Sequence, residues 1–145
     1  MRKPHIVLIE DNPSDVYLIK LALEENSIAF RLTNFQSGAD ALLALCPDAG
    51  HIDARLIPDL ILLDLNTPRC DGFEVLAAIR ANAALSRVPL AIVTSSDSPV
   101  DQRRAAELGA TSYIHKQTQL VPFLSVIGSA VKQLLSGRAG AKTAG

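Results

Sequence analysis

The sequence predicts an α/β fold, a doubly wound sheet of five parallel strands with helices on both faces. Two observations carry this. Short apolar runs alternate five times with longer stretches of helical spacing, and the first, third and fourth runs are continuously apolar, as strands covered on both faces must be. A chain of 145 residues, 48% of them hydrophobic, is the size of one domain with a real core. We therefore expect one domain over residues 1–136, with no internal repeat.

The elements follow in order along the chain. HIVLI, His5 to Ile9, is the first strand, and Asn12-Pro13 before Ser14 and Asp15 reads as an N-cap with proline at the first position of a helix over 13–25. The second strand is expected at Ile28 to Thr33, where Ile28, Phe30 and Leu32 alternate with smaller or polar residues. Alternation of this kind marks an edge. Ser37 and Asp40 form a capping pair for a helix over 37–45. The link from Cys46 to Asp59 is long for a compact domain and is expected to be a surface excursion. LILLDL, Leu60 to Leu65, is the third strand; Pro68, Asp71 and Gly72 supply turn chemistry before a helix over 71–82. LAIVT, Leu90 to Thr94, is the fourth strand, and Ser98-Pro99 with Asp101 repeats the first capping device for a helix over 99–108. Gly109 stands where that helix needs a residue at ease with positive φ. SYIH, Ser112 to His115, is a short fifth strand at the other edge, followed by a helix over 120–135. The closing GRAGAKTAG, residues 137–145, is small and polar and is expected to be a disordered tail.

Several function classes are excluded on composition. A formal charge of -1, with acids and bases mixed, gives no basic stripe for phosphate backbones, so no direct nucleic-acid partner is expected. No apolar run approaches the roughly 20 residues that span a bilayer. The polar start MRKPH lacks a secretory core, which predicts a cytoplasmic protein with no membrane partner. Cys46 and Cys70 form no CxxC and read as reduced thiols, while His5, His51 and His115 share no metal-ligand spacing and read as surface or packing residues.

The polar residues that remain fall at one place. Glu10 and Asp11 follow the first strand, Asp64 ends the third, Thr94 closes the fourth and Lys116 follows the fifth. All lie at the carboxyl ends of strands, the edge where ligands bind in open parallel sheets. With the second and fifth strands at the edges, the order 2-1-3-4-5, a common one for such sheets, puts the first and third strands side by side. Glu10, Asp11 and Asp64 then converge. Alone, an acid before a helix is a dipole-favoured residue; an adjacent pair opposite a third carboxylate needs a cation. A hard divalent ion with oxygen ligands fits, Mg²⁺ above others. Lys116 offers a mobile positive charge and Thr94 a hydroxyl, both suited to phosphoryl oxygens. A carboxylate flanked in this way can accept a phosphoryl group as an aspartyl phosphate, and Asp64 is the candidate nucleophile.

These residues resemble the receiver domains of two-component response regulators over about residues 4 to 135. The resemblance rests on the acidic pair in IEDNPSD, on DLNTPRCDG after the third strand, on the hydroxyl in IVTSS and on SYIHK. It implies a flavodoxin-like sheet and phosphorylation of Asp64 by a partner sensor histidine kinase. It also implies Mg²⁺ held by Asp11, Asp64 and the backbone carbonyl of Asn66 with help from Glu10, and phosphoryl contacts from Thr94 and Lys116. Tyr113 matches the aromatic switch position that turns inward when the hydroxyl moves to the phosphate. The single domain and the long link resemble most the stand-alone regulators that serve phytochrome-type sensor kinases. Two residues depart from the family pattern. Gln117 replaces the proline that usually follows the lysine, which predicts a trans Lys116–Gln117 peptide and a displaced loop; Thr67 replaces a common methionine, a change of packing.

The alternative reading is an aspartate-nucleophile phosphatase of the haloacid-dehalogenase type. That family carries an acid two residues after the nucleophile, where this chain has Asn66, an amide unable to do acid/base work. The sequence thus reads as a phosphoacceptor with slow self-catalysed transfer and hydrolysis rather than as an enzyme. With no effector domain in the sequence, output is expected through a surface. On the last helix Leu120, Leu124, Ile127, Val131 and Leu134 form a stripe expected to face the sheet, and Phe123, Val126 and Ala130 a second, exposed stripe. A homodimer through the fourth helix, fifth strand and fifth helix is the expectation drawn from it.

Overall fold

Continuous apolar runs become central strands because both of their faces are covered. The computed structural model describes residues 2–47, 52–67 and 70–144. In it β1 (His5–Ile9), β3 (Leu60–Leu63) and β4 (Leu90–Thr94) are buried along their whole length, and β2 (Arg31–Phe35) and β5 (Ser112–His115) flank them. All pairings are parallel and the order is β2-β1-β3-β4-β5. The helices are α1 (Pro13–Glu25), α2 (Gly38–Leu45), α3 (Gly72–Ala81), α4 (Pro99–Glu107) and α5 (Leu120–Ala144), with a 3-10 turn at Ala54–Leu56 in the long link. Pro68 and His51, and residues 48–50 of the link, lie outside the described residues.

Side chains alternate across each strand, so the core divides into two layers. Val7, Ile9, Ile61, Leu63, Leu90 and Ile92 meet α2, α3 and α4, whereas Ile6, Leu8, Leu60, Leu62, Ala91 and Val93 meet α1 and α5. The caps are those the sequence signals. Asn12 Oδ1 accepts from the Ser14 and Asp15 amides, Ser37 Oγ from Asp40 and Ser98 Oγ from Asp101. Gly109, with φ 102°, ends α4.

Four expectations need correction. β2 is Arg31–Phe35 rather than Ile28–Thr33, because Ser27 at φ 57° and the Ile28 amide on the Leu23 carbonyl (2.9 Å) make residue 28 part of the exit from α1. Ladder pairing begins only where Arg31 lies opposite His5. The alternation still holds, since Ile28, Phe30 and Leu32 all pack on the α1/α5 side. The final helix continues to Ala144, through residues expected to be a tail. Extending a formed helix needs no new nucleation step, and the alanines, arginine and lysine of this stretch favour it against Gly137 and Gly140. Third, α5 covers the sheet with a slightly shifted face: Ile127, Val131, Leu124 and Leu134 pack on the core as expected, but Phe123 joins them and Leu120 does not. Phe123 (4% exposed), Ile127 and Val131 are buried, while Leu120 is 52% exposed and Val126 37%. The exposed second stripe therefore does not exist as a whole, since Phe123 belongs to the core. Eighteen residues of this helix, Leu120–Gly137, are long and apolar enough to cross a bilayer by length and composition, contrary to the expectation. Phe123, Ile127 and Val131, however, are spent on the core against the sheet.

Candidate functional site

The strand order brings the carboxyl ends of β1 and β3 together, and hydrogen bonds hold their following residues level. The Asp64 amide donates to the Ile9 carbonyl (3.0 Å), and the Glu10 amide to Phe35 (2.9 Å). Both carboxylates are drawn into the rim of the core, with Glu10 1% and Asp64 6% exposed, while Asp11 stands in solvent. Glu10, Asp11 and Asp64 each offer a carboxylate oxygen within 4.8 Å of the others, as a metal ion needs. Buried charges require compensation, and a lysine supplies it here.

Lys116 reaches this point because its amide extends the β5 pairing onto the Thr94 carbonyl (2.7 Å). Every described peptide bond is trans, the Lys116–Gln117 bond included, and the lysine still enters the site. Its Nζ donates to Glu10 Oε1 (2.7 Å), Asp15 Oδ2 (2.7 Å) and Asp64 Oδ2 (3.0 Å). Burial pulls the ammonium's pKa down. The hydrogen bonds to Asp15 and Glu10, with the charges of Asp64 and Glu10, outweigh it and hold the lysine firmly protonated. Burial pushes Glu10 up to about 7, and Asp64 adds to this; Lys116 and the Asn12 amide (3.2 Å) oppose it. One ammonium shared among three carboxylates leaves the site short of positive charge.

The predicted hydroxyl and amide are also in place. Thr94, fully buried at the end of β4, accepts from Asn66 Nδ2 (3.2 Å) and from the Ser96 amide (3.3 Å). The Asn66 amide donates to Asp64 Oδ1 (3.0 Å). Tyr113 is partly buried against the α2/α3/α4 side and donates its hydroxyl to the Ser96 carbonyl (2.8 Å). Every candidate residue is thus near the rim: six of them, Glu10, Asp11, Asp64, Asn66, Thr94 and Lys116, in one cluster, and Tyr113 one hydrogen-bonded residue away.

Sequence reasoning missed Asp15. We read it only as an acid in the first turn of α1, yet its carboxylate lies on the lysine. The signal that could have found it is position: an acid in the first turn of a helix that starts at the carboxyl edge of β1 faces the same rim. It also missed Ser96, whose Oγ donates to Asp101 Oδ2 (2.7 Å) on α4 while its carbonyl holds Tyr113.

Comparison with known proteins agrees with this geometry. A family model for the response regulator receiver domain matches residues 6–127. Response regulator Rcp1 of Synechocystis sp. is 34% identical over 122 residues, which cover 84% of this chain and 82% of that protein. Among solved structures, the phosphorylated cyanobacterial phytochrome response regulator RcpA superposes with a TM-score of 0.84 at 32% identity, covering 94% of this chain and 96% of that one. The Mn²⁺-bound form of Rcp1 superposes with a TM-score of 0.74 at 30% identity, covering 87% and 90%.

Proposed function

Since the chain belongs to the response regulator receiver family, we propose that it accepts a phosphoryl group on Asp64 from a partner histidine kinase and thereby switches a protein-interaction surface. The observation that carries the reading is the Lys116 ammonium 3.0 Å from Asp64 Oδ2, beside two further carboxylates at the same strand ends. An Asp64 oxygen attacks the phosphorus of the donor's phosphohistidine, the P–N bond breaks as the P–O bond forms, and the imidazole leaves. Lys116 donates to a phosphoryl oxygen, and the Thr94 hydroxyl to another. Glu10, Asp11 and Asp64, with the Asn66 backbone carbonyl, suit Mg²⁺, which when bound neutralises charge on the incoming phosphoryl group. The names of Rcp1's Mn²⁺-bound form and of RcpA, a phytochrome response regulator, support a divalent metal and a phytochrome-type sensor kinase here. The haloacid-dehalogenase reading fares worse. Asn66 is an amide engaged with Thr94, and no acid stands at its place.

For output we retain a homodimer through α4, β5 and α5. Val100 (67% exposed) and Val126 offer apolar surface on α4 and α5. The chain is expected to act in the cytoplasm as a single receiver domain over residues 1–136. A small phosphodonor should label the wild type only with Mg²⁺ present, and Asp64→Asn should not label. Undiminished labelling of Asp64→Asn overturns the reading. Sedimentation of wild type and Val126→Glu, with and without phosphodonor, tests the dimer: a wild type that stays monomeric in both conditions rules it out.

A further inference from the structure

We propose that Asp15 is a positioning residue for Lys116, the anchor that keeps the ammonium beside Asp64 when the other carboxylates turn to a metal. The inference deepens the phosphoacceptor reading and rests on it. An ammonium has three donors, and here each has its own carboxylate: Glu10, Asp15 and Asp64. Two of these three belong to the oxygen cluster that can hold a cation, and Asp15 does not. With lone pairs of Glu10 and Asp64 given to a divalent ion, Asp15 would be the acceptor still committed to the lysine.

Three features suit Asp15 to this task. It sits on the first turn of a helix fixed by the Asn12 cap, so its carboxylate is carried by a rigid element. Its contact of 2.7 Å is as short as the one to Glu10 and is made while the same ammonium donates to Asp64 at 3.0 Å, so holding the lysine does not take it off the nucleophile. Lysine also has a flexible four-carbon stem that does not orient itself, and in this chain Gln117, not a proline, follows it. An acid in the first turn serving only the helix dipole would need no partner on another strand.

The test compares Asp15→Asn, Asp15→Ala and Asp15→Glu, each alone and in a Lys116→Ala background, with thermal unfolding as the check of folding. At saturating Mg²⁺ and phosphodonor, Asp15→Ala and Asp15→Asn should phosphorylate about tenfold more slowly, the scale expected when a catalytic group is misplaced by a fraction of an ångström. Asp15→Glu should recover part of the rate. In the Lys116→Ala background, Asp15→Ala should slow the reaction no further, because Asp15 acts through the lysine. The Mg²⁺ Kd, read by calorimetry without phosphodonor, should stay within about threefold of wild type, since Asp15 is no ligand. Three results overturn the inference: wild-type rates in Asp15→Asn, equal slowing with and without Lys116, or a Mg²⁺ affinity lost by more than about tenfold. If instead the wild type is not labelled at all, it is the phosphoacceptor reading that has failed.

Discussion

Glu10 gives the site a pH dependence opposite to that of an ordinary paired carboxylate. Its pKa lies at about 7 in the folded protein against 4.5 for the free side chain, raised first by burial and then by Asp64. The folded state therefore holds more protons than the unfolded chain between those values, and stability must fall as pH rises through that window. The stabilisation is fully present below pH 4.5 and is lost as pH rises through about 7. At about 1.4 kcal/mol per pKa unit, the shift from 4.5 to about 7 sets a ceiling of about 3.5 kcal/mol. The perturbation is Glu10→Gln, which carries a neutral side chain at every pH. Urea unfolding in EDTA at pH 5 and at pH 8 isolates Glu10, since other groups cancel in the difference between the two proteins. Relative to Glu10→Gln, wild type should be less stable at pH 8 than at pH 5 by about 1–3 kcal/mol. Mg²⁺ should restore wild type more at pH 8 than at pH 5, because a ligand carboxylate must be deprotonated. A difference between the two proteins that does not change with pH refutes the assignment.

Two glycines test the scaffold. A Cβ at Gly72 would lie 2.6 Å from the Leu65 Cα and 2.9 Å from its carbonyl oxygen, so Gly72→Ala must push the backbone next to Asp64. It should cost about 1–3 kcal/mol in urea unfolding and slow phosphorylation about tenfold or more; a wild-type rate would show that the loop can yield. At Gly128 a Cβ would collide with the Asn26 side chain, whose Nδ2 donates to the carbonyls of Ala22 (2.7 Å) and Leu124 (3.3 Å). Gly128→Ala should lose about 1–2 kcal/mol even though alanine favours helix, and in an Asn26→Ala background the same change should be neutral or stabilising.

The central strands were legible because continuous apolar runs leave few alternatives, and so was the meeting of Glu10, Asp11 and Asp64, which needs only β1 beside β3. β2 was placed too early because its alternation begins before its ladder. Ile28 and Phe30 pack on the core without pairing, and only the hydrogen bonding at Arg31 separates the two. Phe123 and Leu120 exchanged roles for a similar reason. Helical periodicity defined two adjacent apolar stripes on α5, and the sheet covers a face that straddles them, taking Ile127 and Val131 from one and Phe123 from the other. Asp15 was invisible for a different reason. Its position in a first turn has a sufficient local explanation, while its partner is 101 residues away.

The resting hydrogen bonds also indicate how a change at Asp64 can reach two elements at once. Two donors, Asn66 Nδ2 and the Ser96 amide, converge on the Thr94 oxygen, so the hydroxyl's own proton must point away from both. Under the proposed function that proton is available for a phosphoryl oxygen, and a hydroxyl that moves toward it pulls on the Ser96 amide. Ser96 is a branch point. Its carbonyl holds the Tyr113 hydroxyl on β5, and its side chain holds Asp101 in the first turn of α4. A shift of this one residue therefore strains both contacts together, and the two are not equivalent. The contact to Tyr113 uses the backbone and survives any side-chain substitution, whereas the contact to Asp101 depends on the serine hydroxyl. β5 and α4 are two of the three elements of the proposed dimer face. Under the proposed function, the loop after Thr94, more than Tyr113 alone, is where a phosphoryl group on Asp64 would be joined to that surface.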